Sequence, residues 1–260
     1  AKYLSDQGAK AMIMISKELK RYGIDIYKKP QLVKLVKELE KVSGIEWIRL
    51  HYTYPNLFDD DLIKTIADSE KVCSYLDMPF QHFNDDVLKM MKRGHTAKEG
   101  LDLIERIRKS IPDIALRTTL LVGHPGEDQS AFNELLSAVK DVRFDRLGVF
   151  TYSHEEDTYS FKNYNDDIPQ EVKQERADAI MEEQQAISLE INEQKVGSIQ
   201  KVLIDKEEEE YFVGRTEFDS PDVDNEVLVD ATKHYLKQGE FVNLKVTKAA
   251  DFDLYAEPFL

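Results

Sequence analysis

Apolar positions over the first 150 residues alternate between short unbroken runs and stretches spaced as on one face of a helix. Met12 to Ile15 is a run of strand length, and Pro30 to Val42 then places Leu32, Leu35, Val36 and Leu39 at helical spacing. The order repeats: Glu46 to Leu50 predicts a strand, Asp59 to Ala67 a helix opened by aspartates, and Tyr75 to Met78 a strand. Helix follows at Val87 to Met91 and Ala97 to Arg108, strand at Ile114 to Val122, helix at Gln129 to Val139, and strand at Phe144 to Phe150. This alternation predicts parallel βαβ units, either an open doubly wound sheet or a barrel. Ala1 to Leu4 reads as the inside of a helix ending at Gly8, so the chain is expected to begin within a longer protein.

One long Glu-, Gln-, Ala- and Lys-rich helix is predicted from Gln170 to Lys195, joining two modules at residues 1–185 and 186–260. Beyond Gly197 the period shortens to two, in Ile199 to Ile204, Tyr211 to Thr216, Val227 to Val229, Phe241 to Val246 and Phe252 to Tyr255. Five short strands with turn residues between them predict a small antiparallel barrel of the OB-like kind. Glu207 to Glu210 then form a solvated hairpin tip.

Composition narrows the class. No apolar run reaches membrane-spanning length and no secretory leader is recognisable, so a cytoplasmic protein is expected, with no membrane partner. The single cysteine, Cys73, excludes an internal disulfide and any multi-thiolate metal site built from this chain alone; it reads as a small buried hydrophobe. Met12, Met14, Met90 and Met91 read as core. The net charge of -15 is uneven: residues 186–260 hold 17 acidic against 8 basic side chains, residues 1–185 hold 33 against 27. That excess either maintains solubility alone or repels a phosphate backbone and attracts a basic partner.

Candidate chemistry lies in polar residues set where a parallel strand ordinarily takes Val, Ile or Leu. Alternation puts Trp47, Arg49 and His51 on one side of a strand, and Arg117 and Thr119 on one side of another, while Asp77 to His82 end a third. At the carboxyl ends of parallel strands these groups would converge at one mouth. The other reading pairs Arg49 and Arg117 with Asp77 or Glu18 as structural ions and leaves His51 and His82 as satisfied core or rim histidines. Val122 to Glu127 forms a glycine-bearing strand-to-helix turn without the Walker lysine or GxGxxG spacing, which disfavours a nucleotide-triphosphatase or Rossmann site.

Five strings carry a resemblance: Trp47 to Pro55 (WIRLHYTYP), Tyr75 to His82 (YLDMPFQH), Leu88 to Gly94 (LKMMKRG), Leu116 to Glu127 (LRTTLLVGHPGE) and Phe144 to Ser153 (FDRLGVFTYS). Together they resemble the radical S-adenosylmethionine methylthiotransferases. Val213 to Thr216 and Ser220 to Asp224 resemble that family's TRAM domain. The resemblance implies a partial TIM-type (β/α) barrel over 1–185 and a TRAM barrel over 186–260. It also implies S-adenosylmethionine and two 4Fe-4S clusters in the complete enzyme, one on a CxxxCxxC loop and one on a separate N-terminal domain. Those cysteines are absent here, so no catalytic or metal residue is expected in this chain. Cofactor contacts are implied for Glu18, Arg49, Gln81, His82, Arg117, Gly123, Gly126 and Glu127, and partner contacts for Arg215, Asp219, Asp222 and Asp224.

Two branches of the family differ in substrate, a tRNA adenosine or an aspartate β-carbon of a basic small-subunit ribosomal protein. Leu147 to Thr158 and Ala250 to Tyr255 resemble the second, and the acidic C-terminal module fits it better than tRNA. Two departures stand out. Ser16 to Gly23, with Lys17 and Lys20, replaces a neutral polar string, and His124 stands where phenylalanine is usual. A non-catalytic adaptor is the remaining alternative, and oligomeric state is left open.

Overall fold

The computed structural model describes residues 1–56 and 58–259. Helix α1 (Lys2–Asp6) leads into β1 (Ala11–Met14); a 3-10 turn at Leu19–Arg21 and the short helix α2 (Ile24–Tyr27) precede α3 (Leu32–Leu39). Then follow β2 (Trp47–Leu50), α4 (Asp60–Ala67), β3 (Val72–Asp77), α5 (Asp85–Met90) and α6 (Ala97–Ser110). The core closes with β4 (Ala115–Val122), α7 (Gln129–Val142), β5 (Arg146–Thr151), α8 (Tyr159–Asn163) and the long helix α9 (Gln170–Glu193). Caps set several boundaries: Asp59, Asn84 and Asp128 accept backbone N–H bonds at the starts of α4, α5 and α7, and Thr96 with Glu99 forms a capping box on α6.

The five strands pair in parallel in the order β1-β2-β3-β4-β5. A strand order that never reverses, joined by crossovers of one hand, puts the crossover helices on one face. Ile48, Leu50, Val72, Leu76, Leu116 and Leu120 of the sheet accordingly share one core with Val36, Ile66, Ile107, Leu135 and Ile180 of the helices. That arrangement selects the barrel-type alternative over the doubly wound one, with five strands forming part of a barrel. Helix α9 contributes Ala177, Ile180 and Ile187 to the same core, so the expected division at 185/186 falls inside this helix.

The second module is a closed barrel of β6 (Ile199–Glu208), β7 (Tyr211–Arg215), β8 (Val227–Asp230), β9 (Phe241–Ala249) and β10 (Leu254–Pro258). Its pairings are antiparallel except β8 with β10, which is parallel. Alternation buries Val202, Ile204, Val227, Val229, Leu244 and Val246 inside it. Gly214 is required where β6 crosses closely, since a Cβ there would lie 2.7 Å from the Leu203 carbonyl oxygen. Among the described residues no helix is long and apolar enough to cross a membrane.

The face of the parallel sheet opposite its helices is covered by this barrel. Trp47, Cys73, Tyr75 and Ala115 pack beneath Leu203, with Phe218 and Phe241 against them. Trp47 meets Phe241 edge to face at 4.6 Å between ring centroids.

Candidate functional site

Strand alternation builds the site in layers. Beyond the apolar Trp47–Cys73–Ala115 floor, the same face carries Arg49, Tyr75, Asp77 and Arg117, with His51 and Thr119 nearer the mouth. Asp77 is in register with Arg117, and Arg117 with Arg146. At the strands' carboxyl ends Ile15, Tyr52 and Phe150 are exposed, giving the mouth an apolar rim.

The polar layer is held largely by the segment from Thr216 to Asn225, between β7 and β8. Arg49, 2% exposed, donates to the Glu217 carbonyl at 2.8 Å and the Thr216 carbonyl at 3.3 Å, with its guanidinium 4.4 Å from the Tyr75 ring centroid. Arg117 donates to Asp224 and to Asp77, each at 3.1 Å, and to the Thr119 hydroxyl at 3.3 Å. Asp224 also accepts from the Tyr75 hydroxyl at 2.7 Å and from the Ser220 N–H at 2.9 Å. Arg146 donates to Asp219, and His51 Nε2 lies 2.9 Å from the Ser220 hydroxyl.

Burial would push the Asp219 carboxyl up, but Arg146, Lys195 and Thr216 outweigh it and hold it below the usual carboxylate range. Burial pushes the Tyr75 phenol up, reinforced by Asp224. Burial likewise lowers His51, with Arg49 and Arg117 reinforcing it and Asp77 opposing. That lowering favours the neutral imidazole, with Asp77 at 3.8 Å.

A second group sits where β3 and β4 end. Gln81 extends the pairing of β3 with β4: its N–H donates to the Thr119 carbonyl and its carbonyl accepts from Leu121, both at 2.9 Å. It does so at a φ of +71°, a strained value for a side-chain-bearing residue. His82 is fully buried with Nε2 3.4 Å from Glu127, and Glu127 accepts from the Gly123 N–H at 2.9 Å and from Arg176 at 2.8 Å. Gly123, at a φ of +74°, lies against Lys173, whose Cγ would be 2.3 Å from any added Cβ. Gly126 lies against Met90 in the same manner.

The twelve residues singled out in the sequence therefore divide. Arg49 and Arg117 share the sheet face under the mouth, whereas Gln81, His82, Gly123, Gly126 and Glu127 gather at the ends of β3 and β4. Glu18 joins neither group; it is exposed and pairs with Arg21 at 3.0 Å. Among the partner candidates only Asp222 is exposed, and Arg215 pairs with Asp205. Asp219 and Asp224 are a correction: their carboxylates are buried against Arg146 and Arg117 and join the two modules rather than facing outward. The alternative in which Arg117 pairs with Asp77 is realised, while Arg49 takes carbonyls instead. Sequence reasoning missed Arg146, Lys173 and Arg176. A cleft of about 460 Å³ lined by Pro55, Asn56, His95 and Leu103 contains none of the sequence-predicted residues.

An iron–sulfur cluster needs several thiolates. Cys73 is the chain's one thiol, buried beneath the barrel and pushed up to about 11 by that burial, so the residues present do not fit a cluster. An amino-acid carboxylate is a better fit. Arg117 Nη2 has no hydrogen-bond acceptor among the described residues and lies beside Gly148, where a Cβ would sit 3.7 Å away. A free guanidinium N–H facing a glycine leaves room for an anionic group.

Residues 6–139 match the radical SAM superfamily, and residues 196–258 match the TRAM domain. A protein of Christiangramia forsetii named ribosomal protein uS12 methylthiotransferase RimO is 54% identical over 99% of this chain and 57% of its own length. Proteins of the same name from Flavobacterium johnsoniae and Bacteroides thetaiotaomicron are 50% and 48% identical over 99% and 98% of the chain, and 59% of their own lengths. The chain thus spans a little under three-fifths of these relatives. Among solved structures, the Escherichia coli radical SAM enzyme coproporphyrinogen III oxidase aligns with 62% of this chain and 37% of its own, at 21% identity and a TM-score of 0.48.

Proposed function

This chain belongs to the radical SAM superfamily, and from that premise we propose that it is the core and docking module of a cytoplasmic enzyme that methylthiolates an aspartate β-carbon of ribosomal protein uS12. The observation that carries the reading is about 50% identity, running through both modules, to proteins named for that activity. The chain covers only 57–59% of those proteins. The thiolates for two 4Fe-4S clusters are therefore proposed to come from outside these 260 residues.

Bound S-adenosylmethionine would supply the radical that removes hydrogen from the substrate carbon. This chain's part is to bind and orient. Arg117 Nη2 would receive the methionine carboxylate, and Asp77, buried and tied to Arg117, would hold that guanidinium in place. Ile15, Tyr52 and Phe150 would exclude water around the reacting groups. Gln81 and the Gly123–Glu127 turn would shape the adenosyl side, braced from behind by His82, Lys173 and Arg176. Residues 186–260 would dock the basic ribosomal protein, with the exposed Glu207–Glu210 tip and Asp222 as outward charges.

Immobilised chain is to be challenged in parallel with purified uS12 and bulk tRNA at low and at raised salt. The expected result is uS12 retention that weakens with salt and no retention of tRNA. Salt-sensitive tRNA retention with uS12 in the flow-through would overturn the reading. For the complete protein, the readout is the mass increase of one methylthio group replacing hydrogen on uS12.

A further inference from the structure

A cavity of about 230 Å³ opens at the seam between β5, helix α9 and the Thr216–Asn225 segment. Two side chains on α9, one helical turn apart, supply its inner wall. Gln184 and Ser188 are each 1% exposed, yet Gln184 Oε1 and Ser188 Oγ have no hydrogen-bond partner among the described residues. The amide orientation of Gln184 is fixed, because its Nε2 donates to the Phe144 carbonyl at 2.9 Å. Its oxygen is therefore an acceptor.

Two carboxylates stand beside these acceptors. Asp145 contributes a partly exposed carboxylate with Arg108 3.8 Å away, and Asp224 a buried one held by Arg117. The one cation in the wall, Arg146, is already committed to Asp219 and to the Asp145 carbonyl. At the entrance stand Met181, Val223 and Phe252, the last two 57% and 39% exposed. An apolar collar leading to unpaired acceptors beside a carboxylate suits a side chain with an aliphatic stem and a cationic, donor-only head. A buried oxygen without a donor is costly, so the arrangement is complete only when a donor arrives.

We propose that this cavity receives a lysine or arginine side chain of the docked basic protein, anchoring it across both modules. The inference rests on uS12 being that partner, and it adds the anchoring site and its chemistry. It also explains why the acceptors sit on α9: the pocket exists only where the sheet, the linking helix and the barrel segment meet, so it reads their correct assembly.

Binding of purified uS12 to the chain is to be measured for wild type, Ser188→Ala and Val223→Lys. Ser188→Ala removes an acceptor with little change of shape, and Val223→Lys offers an ammonium in cis that competes for the pocket. Each variant should bind uS12 roughly tenfold more weakly, the scale of one charge-assisted hydrogen bond. Val223→Lys should also raise Tm. Unchanged uS12 affinity in both variants, with wild type binding normally, overturns the inference and leaves the proposed function standing. A fall in the Tm of Ser188→Ala without loss of affinity does the same, assigning the acceptors to structural water. Failure of wild type itself to bind uS12 removes both.

Discussion

Arg146 places two of its nitrogens, Nε and Nη2, on a single carboxylate oxygen of Asp219, a residue 73 positions later in the chain and in the other module. Both side chains are almost wholly buried, at 4% and 1% exposure. A pair this dry holds the modules in one geometry, because losing either member strands a charge away from water.

Asp219→Asn should therefore cost about 3–5 kcal/mol in chemical denaturation, much of it from the uncompensated guanidinium. Replacing both partners, as in Arg146→Met with Asp219→Leu, should be markedly less damaging than Asp219→Asn alone. A double variant as unstable as the single one would show that the pair is not the source of the loss.

Stability should also fall on mild acidification, before most carboxylates titrate. His51, His95 and His124 all have their pKa lowered by burial in the folded state. Their unfolded values lie near ~6.5, so below that pH the unfolded chain binds more protons than the folded one and stability declines until the folded values are passed. Folding free energy measured from pH 7.5 down to 5 should show this slope, and His51→Gln should make it shallower. A flat profile in wild type would sink the assignment.

Cys73 should be inert while the protein is folded. Its thiol is pushed up to about 11 and shielded by the barrel, so iodoacetamide at pH 8 should label it slowly in native protein and rapidly in denaturant. Equal rates in the two states would mean that the barrel does not cover the sheet.

Gly123 and Gly8 make a matched comparison. Both have positive φ, but Gly8 has open space around its Cβ direction whereas Gly123 meets the stem of Lys173. Gly8→Ala should cost ~1 kcal/mol from backbone strain alone. Gly123→Ala should cost a further ~1–3 kcal/mol of overpacking and displace Lys173 from Asp166. Equal melting temperatures for the two variants would contradict the close approach.

The strands and their facing were legible because period-two alternation is local: Trp47, Arg49 and His51 do share a face, as do Ala115, Arg117 and Thr119. Of the three arginines' partners only Asp77, for Arg117, was legible. Arg49 reaches 167 residues to Thr216 and Arg117 reaches 107 to Asp224, and pairings so distant leave no periodic trace. Helix α9 hid its role for a different reason. Lys173, Arg176, Ile180, Gln184 and Ile187 are buried at helical spacing, but three of the five are polar, so hydropathy reads the helix as a solvated linker. Asp219 and Asp224 looked like surface charge because nothing in a turn sequence distinguishes a carboxylate awaiting a partner from one already buried.

The reach from sheet to Thr216–Asn225 has a consequence for biosynthesis. A chain made from its amino end exposes all five parallel strands once Thr151 has emerged, while Arg49 and Arg146 still lack the groups that cap or neutralise them and Arg117 has only Asp77. The Thr216–Asn225 segment that completes the polar layer is thus made only after the whole sheet and α9, with three barrel strands still to follow. Premature termination after α9 leaves a sheet with uncovered cations and an exposed tryptophan, fit for chaperones and proteases rather than for catalysis.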